Sequence, residues 1–451
     1  MKILIIGSGG REHALADALS RENTTIDLIA TPGNPGIAQL ARIAPISTTD
    51  FPALMALAEA EAVDLVVVGP EAPLAAGLVD QMRQRGIAVF GPTKQAATVE
   101  TSKADTKSMM IAAGIPTAHA ETHRDATEAK EAVQSRFGAP VVIKASGLAA
   151  GKGVIVCLTI TEAYAAIDRI LGDKAFGDAG NECLVESFMT GEELSLFALT
   201  DGHDVLPMLG AQDHKRLLDG DDGPNTGGMG AYTPVSFCTP ALVDHITDRV
   251  FHPTLHALRK RGSPFTGLLY AGLMMTPEGP QVVEFNCRFG DPETQAILPM
   301  LSSSLLDPMM AIARGARIKH QRALAWRDGA SVTTVVAASG YPDAPTTGSP
   351  IEMPSLGDDI RVYHAGTLRD RDGVLRTSGG RVFGVTAVAE SFADAQRRSR
   401  DAASRIGFDG AIYRRDIGWR EADRQVAARL LAETDASNVE AARAAADARA
   451  S

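Results

Sequence analysis

The sequence has few cysteines and no cysteine motif. It contains Cys157, Cys183, Cys238 and Cys287, and no two of them form a CxxC pair or a Cys/His metal-binding spacing. Scattered cysteines in a long chain are typical of a protein whose thiols stay reduced. We therefore expect a cytoplasmic location.

Long apolar runs are also missing. The apolar run at the N-terminus, Ile3–Ile6, stops at Gly7 and is too short for the apolar region of a signal peptide. No other run approaches the ~18 apolar residues that a membrane helix needs. We expect no membrane partner.

The sequence also has no excess of basic residues over acidic ones. Lys and Arg number 44 against 55 Asp and Glu, which gives a formal net charge of −11. A dedicated nucleic-acid binder normally presents a basic face, so we expect no nucleic-acid partner. Small anionic substrates remain possible, because basic groups can be concentrated locally inside an acidic protein.

The sequence does contain enough apolar residues to form hydrophobic cores. Apolar residues make up 45% of the 451 residues, and a prior of about 150 residues per domain predicts two to four domains. Short apolar runs alternate with helical patterns over the first hundred residues, which predicts a parallel sheet with helices on both faces. The predicted strands are 3–6, 26–30, 65–68 and 88–90, and the predicted helices are 11–20, 51–61 and 75–85.

The rest of the chain has α+β patterning. Predicted helices lie at 103–113, 127–137, 161–171, 240–261 and 391–405, and predicted strands at 141–145, 154–158, 182–186, 267–275, 281–287, 331–338, 361–367 and 381–388. We divide the chain into an N-terminal α/β domain (1–102), a central domain (103–325) with a flap subdomain at about 120–187, a small C-terminal α+β domain (326–425) and a terminal helix or tail (426–451).

Two short motifs follow predicted strands of the first domain. In GSGGRE at 7–12, Gly9 and Gly10 open a helix, where N–H groups can meet a phosphate. A dinucleotide site would need a third glycine at Glu12, so a phosphate-bearing substrate is favoured over a nicotinamide, and a tight turn without any ligand is as good an interpretation. In GPEAPL at 69–74, Glu71 can accept hydrogen bonds from an amine or a sugar hydroxyl, although a plain acid at a helix start is the simpler interpretation.

The segment KASGLAAGKGV at 144–154 is more specific. Lys144 ends a strand, and Gly147, Gly151 and Gly153 make a flexible loop that includes Lys152. A loop of this kind can fold over a triphosphate and donate its N–H groups to phosphate oxygens. It does not fit the P-loop pattern, so a strand–loop–strand flap over ATP is the arrangement it favours.

Further polar positions accompany this loop. Glu186 ends a predicted strand, and Phe188 and Met189 in the linker after it could line an adenine base, with Glu193 near the ribose. A core aromatic beside a surface acid is the simpler interpretation. A turn-rich stretch from Asp213 to Gly230 is too long for a plain connection. Its glycines suit close backbone contact with a small substrate.

The sharpest feature is EFNCR at 284–288. Side chains alternate along a strand, so Glu284, Asn286 and Arg288 are predicted to share one face while Phe285 and Cys287 enter the core. Carboxylate and amide oxygens suit Mg²⁺, and a guanidinium can pair with phosphate or carboxylate. An edge strand with outward polar residues is the alternative.

Taken together, the motifs resemble the phosphoribosylamine–glycine ligase family of ATP-grasp enzymes. The matching segments are GSGGREHAL at 7–15, GPEAPL at 69–74, KASGLAAGKGV at 144–154, QDHKR at 212–216, GPNTGGMGAY at 223–232 and EFNCRFGDPETQ at 284–295. The similarity extends from residue 1 to about residue 420.

The resemblance implies an ATP-dependent ligase that joins glycine to 5-phosphoribosylamine through a glycyl phosphate, with Mg²⁺ or Mn²⁺ as the metal. It implies catalytic roles for Arg288, Asp213 and Lys215, and metal ligation by Glu284 and Asn286. It implies nucleotide contacts for Lys103, Lys144, Gly147, Ala149, Gly151, Lys152, Gly153, Glu186, Phe188, Met189 and Glu193. It implies substrate contacts for Gly9, Gly10, Glu12, Glu71, Asn225, Thr226 and Gly228, and we expect a monomer.

Two departures and three alternatives accompany the resemblance. Ser187 stands where many relatives have a second acid, and the strand 265–275 carries no acid for a second metal. Another ATP-grasp ligase with a different carboxylate is the main alternative, since one fold hosts many substrates. A nicotinamide-dependent oxidoreductase and an inactive scaffold are less favoured, because the flap loop and the ATP-handling residues are both present.

Overall fold

The computed structural model describes residues 1–22, 25–148, 153–431 and 434. The first unit is a five-stranded parallel sheet in the order β3-β2-β1-β4-β5, and its helices cover the buried strands as the alternating sequence predicts. Its elements are β1 Lys2–Gly7, α1 Gly10–Ser20, β2 Asp27–Pro32, β3 Arg42–Ile43, α2 Phe51–Ala60, β4 Leu65–Val68, α3 Glu71–Ala76, α4 Leu78–Gln84 and β5 Val89–Phe90.

One helix of this unit differs from its prediction. The pattern at 75–85 predicts one helix, but the structure has α3 and α4, separated by Gly77. Gly77 has φ +90°, a left-handed conformation that ends α3, and glycine adopts it without steric cost. The earlier start of α3 places Glu71 at a helix N-terminus.

The flap is a four-stranded antiparallel sheet in the order β6-β9-β7-β8, packed against two helices. Val141–Ala145 matches its predicted strand, whereas the edge strand β6 was not predicted. The elements of this region are α5 Thr98–Thr101, α6 Lys103–Ala112, β6 Ala120–His123, α7 Ala126–Ala132, β7 Val141–Ala145, β8 Val154–Cys157, α8 Ile160–Ile167 and β9 Cys183–Ser187.

The central unit contains a second antiparallel sheet in the order β11-β10-β16-β17. The turn-rich stretch proves to hold four short strands, two of which form the hairpin β13–β14. The predicted helix 240–261 is present, with a π turn at Thr247–Phe251 between α9 and α10. The elements are β10 Glu192–Thr200, β11 Val205–Pro207, β12 Gln212–Asp213, β13 Arg216–Leu218, β14 Asp222–Asn225, β15 Gly230–Thr233, α9 Pro240–Ile246, α10 His252–Lys260, β16 Gly267–Thr276, β17 Gly279–Asn286, α11 Glu293–Ile297 and α12 Leu306–Ala313.

A third antiparallel sheet, called the third sheet below, joins the central and C-terminal parts of the chain. Its order is β12-β15-β18-β22-β19, so β15 from the turn-rich stretch pairs directly with β18. The predicted strand 361–367 ends at His364, and a turn leads into a separate hairpin, β20–β21. The elements are β18 Ala330–Ala337, β19 Ile360–His364, β20 Thr367–Arg369, β21 Leu375–Thr377, β22 Arg381–Ala389, α13 Phe392–Ala403 and β23 Ile412–Tyr413.

A helix covers residues 419–431, and most of the predicted terminal helix or tail (426–451) lies outside the described part of the chain. Arg424 on this helix contacts Glu192 at 2.6 Å and the Tyr232 hydroxyl at 2.8 Å, so the helix packs beside β10 and β15. Among the described residues, no helix is both long and apolar enough to span a bilayer.

Candidate active site

A buried carboxylate holds two lysines where the flap meets α6. Glu186 lies at the end of β9, and its carboxylate is 2.8 Å from Lys144 Nζ and 3.3 Å from Lys107 Nζ. All three side chains are at most 5% exposed. Burial lowers the pKa of Lys107 to about 8, against the opposing effect of Glu186. Lys144 also donates to the Val283 carbonyl at 3.2 Å, which ties the flap to β17.

Glu284 lies on β17 at the centre of a group of lysines. A β-bulge in the pairing with β16 falls beside it, because Gly272 pairs with Glu284 while Leu273 pairs with Val282. Burial opposes the charge of Glu284, but Lys215, Lys103 and Lys144 more than offset that effect and lower its pKa below the ordinary value. The carboxylate is therefore ionised at neutral pH and faces cations from three different parts of the chain.

Lys103 and Lys215 complete this group. Lys103 begins α6, and its ammonium donates to the Gly147 carbonyl at 3.1 Å, at the start of the flap loop. Lys215 forms an ion pair with Glu193. Burial opposes the charge of Lys215, yet Glu193, Asp213 and Glu284 raise its pKa well above the ordinary value. Lys215 thus stays positively charged beside Glu284, whereas burial lowers the pKa of Lys103 against the opposing effect of Glu284.

Asp213 has a different environment from the other acids. Burial raises the pKa of Asp213 to about 7, with Glu293 and Glu193 adding to the effect and Lys215 opposing it. Glu293 is 3% exposed and accepts hydrogen bonds from Tyr270 at 2.8 Å and Ser195 at 3.2 Å. A carboxyl with a pKa close to neutrality can exchange a proton at neutral pH.

Arg288 lies outside the strand that was predicted to carry it. β17 ends at Asn286, so Arg288 belongs to the following turn and does not share a strand face with Glu284. Its guanidinium donates to Glu71 at 3.2 Å and to Glu100 at 2.9 Å. Arg288 therefore links the turn after β17 to α3 and α5, and two carboxylates balance its charge.

Three glycines of the first unit surround the buried side chain of Glu12. A Cβ on Gly7 would lie 2.5 Å from Glu12 Cγ, one on Gly9 would lie 2.8 Å from Glu12 Oε2, and one on Gly69 would overlap Glu12 Oε1. The carboxylate accepts the Gly9 N–H at 2.6 Å and pairs with Arg11 at 2.6 Å. These glycines are required because they leave room for Glu12.

The loop between β14 and β15 packs on the turn after β17. Thr226 donates its N–H and its hydroxyl to the Lys215 carbonyl at 2.7 Å and 2.8 Å, and Gly228 donates to Thr226 Oγ1 at 3.0 Å. Gly228 has φ +108°, and a Cβ there would lie 2.5 Å from Pro292 Cδ. Asn225 ends β14 and pairs with Arg216 in the hairpin.

A cavity of about 460 Å³ lies between the first unit, the turn after β17 and the turns that flank the β20–β21 hairpin. Polar groups make up most of its lining. The lining residues are Ser8, Gly9, Gly33, Asn34, Asp291, Ala365, Gly366, Thr367, Ser378, Gly379 and Arg381.

The structure thus brings most of the predicted site residues into a few connected groups. Lys103, Lys144, Lys215 and Glu284 lie together, whereas Asn286 is 8% exposed and pairs with Tyr270 in the sheet. Phe188 is 40% exposed just beyond β9, and Met189 follows it. Gly10 begins α1, and Gly153 accepts a hydrogen bond from Ala145 at 2.8 Å. The predicted residues Ala149, Gly151 and Lys152 lie outside the described part of the chain.

Three buried residues of the site were not predicted. Lys107 stands one helical turn after Lys103, and that spacing is the signal that could have identified it. Glu100 and Glu293 meet their partners, Arg288 and Tyr270, only through the folded chain.

The donor set around Glu284 fits a magnesium-type ion. Among the described residues, no group of three or more His, Cys, Asp or Glu side chains is placed to hold a metal ion. Mg²⁺ commonly takes one or two protein oxygens and completes its coordination with phosphate and water. Glu284 and Asn286, two residues apart on β17, offer one carboxylate and one amide oxygen of this kind.

Comparison with protein families gives three matches along the chain. The phosphoribosylglycinamide synthetase N domain matches residues 1–100, the ATP-grasp (A) domain of the same enzyme matches 101–294, and its C domain matches 331–420.

Curated relatives and solved structures agree with these matches. The chain is 48% identical over 428 residues to a phosphoribosylamine–glycine ligase of Agrobacterium fabrum, covering 95% of the chain and 100% of the relative. It is 48% identical over 422 residues to the enzyme of that name from Ralstonia nicotianae, covering 93% and 99%.

Among solved structures, the phosphoribosylamine–glycine ligase of Thermotoga maritima has a TM-score of 0.79 at 32% identity and covers 92% of the chain and 100% of that structure. The biotin carboxylase domain of Hydrogenobacter thermophilus 2-oxoglutarate carboxylase, solved with MgADP, has a TM-score of 0.69 at 19% identity over 91% of each chain. That likeness shows a shared fold alone.

Proposed function

The chain belongs to the phosphoribosylglycinamide synthetase family, and from that premise we propose how its site performs the ligation. The enzyme is an ATP-dependent carbon–nitrogen ligase of purine biosynthesis that joins glycine to 5-phosphoribosylamine. The observation that carries the site assignment is the ionised Glu284 among Lys103, Lys144 and Lys215.

The first step is phosphoryl transfer. The glycine carboxylate attacks the γ-phosphorus of ATP, the bond to the β,γ-bridging oxygen breaks, and glycyl phosphate and ADP result. This step brings one anion to another, so cationic groups must offset the repulsion. Lys103, Lys144 and Lys215 are the cations that converge on this region, and Arg288 is assigned to the reacting carboxylate or phosphate.

A divalent metal ion completes the charge balance. We assign Glu284 and Asn286 as its protein ligands, with Mg²⁺ as the natural ion and Mn²⁺ as a substitute. When bound, the ion supplies electrostatic stabilisation to the triphosphate oxygens. The missing acid on β16 is the reason to expect that phosphate oxygens provide much of the coordination.

The second step forms the amide. The amine of 5-phosphoribosylamine attacks the acyl carbon, phosphate leaves, and the nitrogen loses a proton. We assign Asp213 to take up that proton, since its pKa of about 7 lies close to neutral pH. Lys215, beside it, is assigned to the developing charge on the carbonyl oxygen.

The flap supplies the nucleotide contacts. We assign the loop residues Gly147, Ala149, Gly151, Lys152 and Gly153 to the phosphates, and Glu186, Phe188 and Met189 to the adenine end, with Glu193 at the ribose hydroxyls. Closing such a loop excludes water that would hydrolyse an acyl phosphate.

The remaining assignments concern the substrate contacts, the cellular location, the oligomeric state and the domain boundaries. Gly9, Gly10, Glu12 and Glu71 are assigned to the 5-phosphoribosylamine side of the site, and Asn225, Thr226 and Gly228 to the reacting groups. We propose a cytoplasmic monomer, and we propose that residues 1–102, 103–325 and 326–425 form its three domains.

One assay tests the function directly. ADP release is measured with ATP and 5-phosphoribosylamine, with and without glycine, and again with L-alanine in place of glycine. Release should require glycine and should yield glycinamide ribonucleotide. Release that ignores glycine, or that prefers another amino acid, would replace this function with that of a different ATP-grasp ligase.

A second experiment tests the role of Glu284. Glu284→Ala should reduce turnover by at least about 1000-fold, the size of loss expected when a major electrostatic group is removed, without lowering the melting temperature by more than a few degrees. Glu278→Ala removes an exposed acid from the β16–β17 turn and should leave turnover unchanged. Near-normal activity of Glu284→Ala would refute the metal assignment.

A further inference from the structure

Arg424 lies outside the three family matches, the last of which ends at residue 420. It belongs to the helix at 419–431, called the terminal helix below. Its side chain is 24% exposed, and its guanidinium donates to β10, to two strands of the third sheet and to its own helix. The acceptors are Glu192 Oε2 at 2.6 Å, the Tyr232 hydroxyl at 2.8 Å, Glu421 Oε2 at 2.9 Å and Gln212 Oε1 at 3.2 Å.

The terminal helix holds Arg424 in a fixed place. The Glu421 side chain, one helical turn earlier, is 1% exposed and accepts hydrogen bonds from the Ser236 N–H at 3.2 Å and the Ser236 hydroxyl at 3.0 Å. The Arg424 guanidinium also lies over the Phe237 ring, 4.9 Å from its centroid. These contacts attach the helix to the segment that follows β15, so Arg424 approaches β10 and β12 from a defined position.

Gln212 connects Arg424 to the backbone of β10. It begins β12 and is 6% exposed. Its Oε1 accepts hydrogen bonds from Arg424 and from the Tyr232 hydroxyl, and its Nε2 donates to the Glu193 carbonyl at 2.5 Å. Because a guanidinium can only donate, Arg424 requires the oxygen of the Gln212 amide on its own side, which leaves the NH₂ group for Glu193.

Glu192 and Glu193 connect the terminal helix to the candidate active site. Successive side chains of a strand point to opposite faces, and here Glu192 pairs with Arg424 while Glu193 pairs with Lys215. The Glu193 side chain is 43% exposed, so the backbone that carries it fixes its position more than the surrounding packing does. That backbone is held by Gln212 at the Glu193 carbonyl and by the ion pair of Glu192.

We propose that Arg424 is a positioning residue for the nucleotide, which acts through Gln212 and Glu192 to hold the Glu193 carboxylate at the ribose hydroxyls of ATP. This role rests on the proposed function in one respect, the assignment of Glu193 to the ribose. It gives the terminal helix a part in nucleotide selection. Loss of Arg424 should therefore weaken recognition of the ribose and spare recognition of glycine.

Arg424→Gln removes the cation and keeps a polar side chain. The KM for ATP is compared with the KM for 2′,3′-dideoxy-ATP, which lacks both ribose hydroxyls, and each is measured by ADP release with saturating glycine and 5-phosphoribosylamine. The KM for ATP should rise about tenfold, as when a hydrogen bond to a charged group is lost, and that for 2′,3′-dideoxy-ATP by less than about twofold. The kcat with ATP and the KM for glycine should keep their wild-type values.

Two further variants separate positioning from folding. Arg424→Lys keeps the charge on the terminal helix and should keep the wild-type melting temperature. Its ammonium cannot reproduce the contacts of the guanidinium with three strands, so the KM for ATP should still rise at least about threefold, with the same difference between the two nucleotides. Arg420→Gln is the matched control, because Arg420 lies on the same helix but pairs with Asp221 at 2.7 Å, and both KM values should stay unchanged.

Equal rises in the KM for ATP and for 2′,3′-dideoxy-ATP would overturn the proposal, because a merely structural loss affects both nucleotides. So would a wild-type KM for ATP in Arg424→Lys, or an equal effect of Arg420→Gln. A wild type that uses both nucleotides equally well would remove Glu193 from the ribose, and the role of Arg424 with it. A failure of the proposed ligation would look different, because ADP release would then not require glycine while the comparison of the two nucleotides still stood.

Discussion

The Lys144 ammonium lies 2.8 Å from the Glu186 carboxylate, and both side chains are at most 4% exposed. Lys107 approaches the same carboxylate from α6 at 3.3 Å. One buried acid therefore compensates two buried cations, and both cations lie in the region assigned to the nucleotide. Removing the acid should affect stability and nucleotide binding together.

Glu186→Gln tests this arrangement. The change leaves two buried lysines without a counter-charge, and we expect the free energy of unfolding to fall by roughly 3 kcal/mol, in the range found for broken buried ion pairs. Urea denaturation measures the loss, and the KM for ATP should rise at least tenfold. Glu182→Gln is the control, because Glu182 pairs with Arg124, whose side chain is 80% exposed. This variant should lose less than about 1 kcal/mol of unfolding free energy. Equal losses in the two variants would contradict the prediction.

Arg288→Lys tests the link between Arg288 and the acids Glu71 and Glu100. A lysine ammonium cannot reproduce the guanidinium fork that reaches both carboxylates, so the turn after β17 should lose its position. We expect kcat/KM to fall about 100-fold, as for a small misplacement of reacting groups. Arg317→Lys is a matched control, since Arg317 also spans two acids, Asp201 and Asp204, but is 47% exposed and outside the assigned site. A similar loss of activity in both would reject the positioning role.

His214 makes stability depend on pH. Its Nε2 accepts the Gly418 N–H at 2.9 Å, and burial, followed by Arg414, lowers its pKa to about 3 from the ordinary 6.5. Because the unfolded chain binds a proton near pH 6.5 and the folded chain does not, this contribution is complete above about pH 6.5 and is lost as pH falls toward 3.

His214→Gln keeps an acceptor near the same place but does not titrate. Its free energy of unfolding should therefore fall less than that of the wild type between pH 7 and pH 5, as measured by urea denaturation at each pH. His245→Gln, at an exposed position on α9, should follow the wild type. Parallel pH profiles for wild type and His214→Gln would rule out this residue as the source.

Gly228→Ala tests the contact between the β14–β15 loop and the turn after β17. Two effects combine at this position, the positive φ and the overlap with Pro292. We expect a loss of roughly 3 kcal/mol in stability and a clear loss of activity. Gly220→Ala separates the effects, because Gly220 also has a positive φ (+71°) but nothing within 4 Å of its would-be Cβ. The Gly220→Ala variant should lose about 1 kcal/mol of stability and keep its activity.

The sequence predicts the fold well where a local pattern decides the outcome. Leu65–Val68 and Val141–Ala145 match their predictions because each contains at least three consecutive apolar residues close to turn-forming residues. The break at Gly77 was missed because the helical pattern continues on both sides of it. The overall class, a parallel-sheet domain followed by ATP-grasp and C-terminal α+β parts, is confirmed.

The candidate site shows where local patterns stop being informative. The alternation along β17 places Glu284 correctly on the strand but fails for Arg288, because the strand ends at Asn286. Arg288 meets Glu100 across 188 residues of sequence, and nothing near either residue indicates the pairing. The glycines at 7–10 suited a phosphate site and a tight turn equally well, and the buried contact of Gly7, Gly9 and Gly69 with Glu12 is visible only in the folded chain.

The pairing of β15 with β18 has a consequence for how this chain can be divided. A gene fragment that stops before Ala330 would leave Gly230–Thr233 as an open sheet edge, with its N–H and C=O groups available to another chain. Such a fragment should tend to aggregate rather than persist as a smaller ligase. The loop assigned here to the reacting groups and the C-terminal sheet would therefore have to be inherited, exchanged or fused as one piece.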